Sequence, residues 1–261
     1  MQLSGARVLI TGASGGLGQA LARQLSAAGA AVLLAGRDEQ KLFALQATLG
    51  HGSASVKADL NSAVDIAAMV DAAREFGVNV LINNAGVSGF GLLEEQDWLS
   101  VERILATNLE APIRLTQAML PLLRAQPEAA IVNIGSTFGS LPFPGFAAYS
   151  AAKAGLRGFS QALRRELADS TVGVIHLSPR AIDTPLNSAA VNQLNRALKS
   201  QSDTAEGVAE KIVDAIRRDH GERHFGFPER IFAWLNGFAP TLIDRALADK
   251  LPIVKQHAAA R

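Results

Sequence analysis

One tyrosine occurs in 261 residues, in the run Tyr149-Ser-Ala-Ala-Lys153, thirteen positions after Ser136. On a helix, positions i and i+4 share a face, so Tyr149 and Lys153 would lie side by side. An ammonium beside a phenol favours the phenolate and draws its pKa down from about 10. A tyrosine tuned in that way trades a proton near neutral pH, which is general acid–base chemistry. Each residue also has a plainer role. Tyr149 could be a core aromatic, Lys153 a solvated helix residue, Ser136 a turn residue and Asn108 a polar position inside a helix.

A second group of residues reads as a phosphate site. Thr11-Gly12-Ala13-Ser14-Gly15-Gly16-Leu17-Gly18 follows an apolar run and opens a helical pattern. Glycines allow a tight turn and let backbone N–H groups approach a phosphate closely, and the helix N-terminus adds a favourable dipole. At a first strand-to-helix junction this points to a dinucleotide. After the second apolar run comes Gly36-Arg37-Asp38. An NAD site places an acid there for the ribose 2′-hydroxyl; Gly36 offers none, and Arg37 can fork onto a 2′-phosphate. Asp38 reads better as the N-cap of the next helix. NADP(H) is therefore favoured over NAD(H), although the turn itself carries no basic residue.

Elements that could hold these residues are legible as short apolar runs alternating with longer helical patterns. Candidate strands are Arg7–Thr11, Ala31–Ala35, Ser53–Lys57, Val78–Asn83, Ala130–Gly135 and Val172–Ser178. Candidate helices are Gly16–Ala28, Asp38–Leu49, Ser62–Phe76, Asp97–Leu123 and Phe146–Ala168. The alternation predicts an α/β fold with a parallel sheet covered on both faces. Hydrophobic residues make up 48% and charged residues 19%, which excludes a disordered chain. A net charge of +1 without a basic stripe argues against nucleic acid. The absence of cysteine excludes disulfides, thiolate metal sites and cysteine nucleophiles. The N-terminus lacks a signal-peptide pattern and no apolar run spans a bilayer, so a cytoplasmic protein is expected.

The motifs together resemble the short-chain dehydrogenase/reductase family of the single-domain type. They are Thr11-Gly-x-x-x-Gly16-x-Gly18, Asp59-Leu60, Asn83-Asn84-Ala85-Gly86, Asn108, Ser136, Tyr149-x-x-x-Lys153, and Pro179 with Thr184. The resemblance covers the chain to about residue 185. It implies a doubly wound, Rossmann-like sheet of about seven strands. No repeat, low-complexity tract or linker divides the chain, so one domain over 1–261 is expected, and the tail at 228–261, outside the resemblance, reads as a helical extension. The resemblance implies Tyr149 as acid/base, Lys153 as its partner and ribose ligand, Ser136 as hydrogen-bond donor to the substrate oxygen, and Asn108 as holder of a relay water. It implies cofactor contacts from Gly12, Ser14, Gly16, Leu17, Asp59, Leu60, Asn84, Ala85 and Thr184, beside Arg37. The function expected is interconversion of a carbonyl and an alcohol by hydride transfer; the alternative is an NADP(H)-binding regulatory protein of weak or no activity.

The chain departs from the family pattern in several places. The glycine usual after the proline that ends the sixth strand is Arg180 here. Either Arg180 meets an anionic substrate group, or it turns outward to pair with an acid, which is the preferred reading. Arginines that dock an acyl carrier protein in related ketoacyl reductases align with Ala130 and Ser170, which counts against a carrier-bound substrate. Phe138, Leu141, Pro142, Phe143, Pro144 and Phe146 form an uncharged loop, which suggests an apolar ketone or aldehyde. His220 and His224 have ligand spacing, but a strand expected over Arg223–Phe227 and the lack of nearby acids argue against a metal. The tail repeats Ile231, Trp234, Leu235, Phe238, Leu242, Leu247 and Leu251 at helical spacing, punctuated by Pro240 and Pro252. It could cover the cleft, cap a subunit interface or, less favoured given its mixed charges, lie on a membrane. A homodimer or homotetramer is expected.

Overall fold

A computed structural model describes residues 1–50, 52–218 and 221–259. His220, half of the histidine pair considered above, lies outside the described residues. The chain runs β1 (Arg7–Thr11), α1 (Gly16–Ala27), β2 (Ala31–Gly36), α2 (Glu39–Gln46), β3 (Ala54–Lys57), α3 (Ala63–Phe76) and β4 (Val80–Asn83). It continues with α4 (Trp98–Leu105), α5 (Ala111–Arg124), β5 (Ala129–Ile134), α6 (Ala147–Glu166) and β6 (Val172–Ser178). Then follow β7 (Ile182–Asp183), α7 (Ala189–Ala197), β8 (Asp203–Thr204), α8 (Ala205–Arg217), β9 (Glu222–His224), α9 (Phe227–Phe238), α10 (Pro240–Ala248) and α11 (Leu251–Ala258).

The described residues form a seven-stranded parallel sheet in the order β3-β2-β1-β4-β5-β6-β9. Its central strands β1, β2, β4, β5 and β6 are mostly apolar on both faces because both faces are covered. Val8 and Ile10 pack with α1, α2 and α8, while Leu9 between them packs with α3, α5 and α6. Strand order reverses between β1 and β4, so a crevice opens beyond their carboxyl ends, the usual ligand position in such sheets.

Capping agrees with the expected boundaries. The Asp38 side chain accepts from the Lys41 N–H at 3.1 Å, which makes it the N-cap of α2. Asp97, expected inside a helix, instead caps α4 by accepting from the Ser100 N–H. The single helix expected over 97–123 is broken by a π-helical turn, Ala106–Glu110. Pro112 lacks an N–H and its ring crowds the carbonyl four residues back, that of Asn108, so regular α pairing cannot pass through this point. The strand expected over Arg223–Phe227 ends at His224: Gly226, at φ 97°, turns the chain, and Phe227 opens α9 with Pro228 in its first turn.

A buried polar chain crosses the sheet beneath the crevice. Asn83 Nδ2 donates to Thr116 Oγ1 (3.1 Å) and Asn133 Oδ1 (2.8 Å), and Asn133 Nδ2 donates to Ser160 Oγ (2.9 Å). Ser160 in turn lies 3.2 Å from His176 Nδ1. Burial is the main reason that the His176 imidazole is pushed down to about 3. The folded protein thus keeps it neutral, while the unfolded chain protonates it below about 6.5. Its contribution to stability is complete above that value and is lost as pH falls toward 3, by up to ~1.4 kcal/mol per pH unit. Urea midpoints at pH 7 and 5 should fall further for the wild type than for His176→Gln. Equal falls would contradict the assignment.

Candidate active site

A cleft of about 1410 Å³ lies over the carboxyl ends of the strands. That exceeds the roughly 300–1,000 Å³ of a drug-sized pocket and leaves room for a dinucleotide and a second molecule. Gly12, Ser14, Gly16, Leu17, Arg37, Asp59, Leu60, Asn84, Ala85, Ser136, Tyr149, Lys153 and Thr184 all line it.

The glycine turn is made by close approach. Gly12 has φ 64°, and a Cβ there would stand 2.7 Å from Ala85 Cα. A Cβ on Gly16 would stand 2.9 Å from Thr184 Cγ2, so α1 begins directly against the Thr184 segment. Thr11 Oγ1 accepts from the N–H groups of Asn84 (3.0 Å) and Ala85 (3.1 Å), and Asn84 Nδ2 donates back to Thr11 O (2.9 Å). The Asn84 side chain is therefore spent on joining β1 to β4. Gly15 precedes α1 without a side-chain cap, so no side chain of the helix end competes for its first N–H groups. These features fit a pyrophosphate. At the far end, a Cβ on Gly36 would lie 3.3 Å from Ser14 Oγ, and Asp38 is engaged by Lys41 at 2.8 Å. Arg23 and Lys41 also line the cleft, and Lys41 pairs with Asp38 next to Arg37. Sequence reasoning missed both, although Arg23 stands seven positions after Gly16 on one face of α1.

At the other end, Ser136 leaves β5 and its hydroxyl accepts from the Phe138 N–H at 3.2 Å, starting a 3₁₀ turn. Tyr149 and Lys153 lie one turn apart on α6, as their spacing predicts. The electrostatics differ from the expectation. Burial pushes the Tyr149 phenol up, with the Ser136 hydroxyl opposing, and burial pushes Lys153 down to about 8. The physical reason is that both groups are taken out of water, which penalises phenolate and ammonium alike. Lys153 Nζ is also committed to Ile134 O at 2.8 Å and stands 5.8 Å from the centre of the Tyr149 ring.

Asn108 is fully buried in the π turn, and its amide is held at both ends: Oδ1 accepts from the Val87 N–H (2.9 Å) and Nδ2 donates to Val87 O (2.8 Å). It does not line the cleft, but it approaches Lys153 behind Gly86. A Cβ on Gly86 would be 2.9 Å from Asn108 Oδ1 and 3.8 Å from Lys153 Nζ.

The phenylalanine loop does two things. Phe138 stacks on Phe143 (5.6 Å) and meets Tyr149 edge-on (6.3 Å), while Leu141 and Phe146 complete that wall of the cleft. Phe146 is also buried against Phe90, Val191, Leu194 and Val254, so α7 and α11 back the wall. Pro142 is exposed. The tail therefore braces the cleft through α11, and α9 docks where Asn236 Nδ2 donates to Ser140 O at 3.0 Å. Trp234 and Phe238 stack on each other in the open, at 69% and 80% exposure.

Two other expectations change. Ala130 lies inside β5 at 4% exposure, so the absence of an arginine there says nothing about a carrier-protein surface. Arg180 does pair with an acid, as preferred, but inward: its side chain is 17% exposed, and Nη2 and Nε donate to Asp203 at 2.7 and 3.1 Å. Among the described residues no group of histidine and acids is placed to hold a metal, and no helix is long and apolar enough to cross a membrane.

This sheet, with a glycine turn at its switch point and a serine, tyrosine and lysine beyond it, is the arrangement of a nucleotide-dependent oxidoreductase. The family model described as short chain dehydrogenase matches residues 6–195. The chain belongs to that family of NAD(P)-dependent oxidoreductases. It is 32% identical over 222 residues to the 3-oxoacyl-(acyl-carrier-protein) reductase FabG of Escherichia coli (strain K12), covering 83% of this chain and 90% of that protein. Among solved structures it is similar to a short chain dehydrogenase/reductase from Burkholderia phymatum in complex with NAD. That match has 27% identity and a TM-score of 0.85, over 93% of this chain and 96% of the other. It is also similar to a short-chain dehydrogenase from Sphingobium yanoikuyae in complex with NADPH, at 30% identity and a TM-score of 0.77. There the coverage is 92% of this chain and 95% of the other.

Proposed function

We propose that this protein is an NADP(H)-dependent oxidoreductase that interconverts apolar ketones or aldehydes with their alcohols. The observation that carries the reading is the convergence of Ser136, Tyr149 and Lys153 on one cleft with the uncapped start of α1. Bound NADP(H) would supply or accept the hydride at the carbonyl carbon. The chain's own residues do the rest. Ser136 donates a hydrogen bond to the carbonyl oxygen as negative charge grows there. Tyr149 gives that oxygen its proton, and the burial that raises its pKa keeps the phenol protonated for the purpose. Lys153, fixed by Ile134 O, adds positive charge beside the phenol and holds the ribose. Asn108, with both ends of its amide on Val87, keeps the Val87 segment and the π turn in place beside Lys153. Phe138, Leu141, Phe143 and Phe146 give the substrate side an apolar wall.

The preference for NADP(H) rests on Arg37 and Lys41 lining the cleft after β2 and on Asp38 being engaged as a cap. Arg37→Ala should raise the KM for NADPH by about tenfold and change that for NADH by less than about twofold, the loss of one charge-assisted fork. Equal effects on both cofactors would remove the assignment.

The function itself is tested by following NADPH oxidation with a panel of apolar ketones, aldehydes and a 3-oxoacyl thioester. Turnover of the apolar carbonyls is expected. Tight NADPH binding without turnover on any of them would favour a nucleotide-binding protein that keeps the fold and not the reaction.

A further inference from the structure

The family's usual glycine after the β6 proline is replaced here by an arginine with every donor nitrogen committed. Arg180 Nη2 and Nε form a fork on Asp203, and Nη1 donates to Gln201 Oε1 at 2.7 Å. Glu229 of α9 stands 3.7 Å from Nη1, and Lys211 of α8 stands 3.6 Å from Asp203. The stem of Arg180 packs at Gly226, where a Cβ would lie 3.3 Å from Arg180 Cδ. Three stretches of chain thus meet at one guanidinium: the β6–β7 loop that carries it, the segment of Gln201 and Asp203 at β8, and Glu229 in the tail.

The pair sits beside a weak piece of secondary structure. β7 and β8 are two residues each, and pair Ile182 with Asp203 and Asp183 with Thr204. The Asp203 N–H also donates to Ala181 O at 2.9 Å. A two-residue ladder has little stability of its own. Immediately after β7 comes Thr184, whose methyl packs against Gly16 at the start of α1, and whose carbonyl accepts from the Asn187 N–H at 3.1 Å. The segment from Thr184 through α7 then packs against the phenylalanine wall, with Val191, Leu194 and Leu198 also in the lining of the cleft.

We propose that Arg180 is a positioning residue: by clamping Asp203 it fixes the short β7–β8 ladder, and so holds Thr184 and the α7 segment in the place needed to retain the cofactor. This rests on the reading of the cleft as an NADP(H) site. Arg180 lines the cleft, but its donors are filled by Asp203 and Gln201, which assigns it to positioning and not to an anionic substrate group. An exposed ion pair would contribute too little to matter, but this pair is bidentate and mostly withdrawn from solvent, the geometry in which such pairs fix orientation.

The test has two arms on the full-length protein. In the first, NADPH binding is titrated by its own fluorescence, without turnover. Arg180→Ala and Asp203→Asn should each raise Kd by about tenfold, while kcat at saturating cofactor changes by less than about threefold. Arg180→Lys should recover part of the affinity, since an ammonium keeps the charge but cannot grip both oxygens. In the second arm, which needs no cofactor, trypsin cleavage after Arg196 and Lys199 should be about tenfold faster in Arg180→Ala than in the wild type. Unchanged Kd and unchanged cleavage in both Ala and Asn variants would overturn the proposal. So would a defect confined to Arg180→Ala and seen only as a raised KM for anionic carbonyl substrates, which would return Arg180 to the substrate. If the wild type binds no NADPH, the cofactor reading fails, while the proteolysis arm still decides whether the clamp exists.

Discussion

Tyr149→Phe should lower kcat/KM for carbonyl reduction by about a thousandfold and leave NADPH affinity within about twofold of wild type, because general acid catalysis contributes ~10²–10⁴. The substitution deletes one oxygen and keeps the ring. The edge contacts with Phe138 (6.3 Å) and Phe146 (6.4 Å) therefore survive, and so does the wall they belong to. Lys153 keeps its bond to Ile134 O, so its ammonium stays in place. What disappears is the proton beside Ser136. Steady-state kinetics paired with a fluorescence titration of NADPH read the two quantities separately. A tenfold loss or less would show that the proton reaches the product by another route.

Lys153→Met should damage both binding and chemistry. Lys153 is 5% exposed, and the fixed partner of its ammonium is a main-chain carbonyl. Methionine fills similar space without the charge or the donor. NADPH affinity should fall about tenfold and kcat/KM by about a thousandfold, as a buried charge-assisted contact and the field beside Tyr149 are lost together. The wild-type pH profile carries the same information. Burial brings Lys153 down to about 8, so the cation is present below that pH and is lost as pH rises through it. Reductive kcat/KM should therefore decline above about pH 8. In Lys153→Arg the decline should move to higher pH, because a guanidinium stays charged. A wild-type profile flat to pH 10 would contradict this role for the lysine.

Much of the site was readable because its signals are local. The glycine turn, Ser136 and the four-residue spacing of Tyr149 and Lys153 need only the adjoining strand or helix to be placed, and β1, β2, β4, β5 and β6 are marked by short, mostly apolar runs. The α2 start was marked by a capping residue, Asp38. Other features depend on distant chain. The fork between Arg180 and Asp203 joins positions 23 apart with no periodic pattern between them. The direction of the Tyr149 shift follows from burial that neither its neighbours in sequence nor the lysine announces. The π turn did have a local signal, Pro112 four residues after Asn108, which the helical spacing of apolar residues through 97–123 masked. The Phe227 boundary was hidden for a similar reason: an apolar residue after a strand reads as more strand until the turn at Gly226 is seen.

In the proposed reaction the cleft directs a hydride from the nicotinamide to a carbonyl carbon, with Tyr149 supplying the proton. The most direct measurement uses NADPH carrying deuterium at the transferable C4 position and an apolar ketone. The product alcohol from the wild type should gain one mass unit at the carbinol carbon, and Tyr149→Phe, with cofactor bound, should form the same labelled product about a thousandfold more slowly. Alcohol formed without the label, or formed equally fast by Tyr149→Phe, would contradict the account.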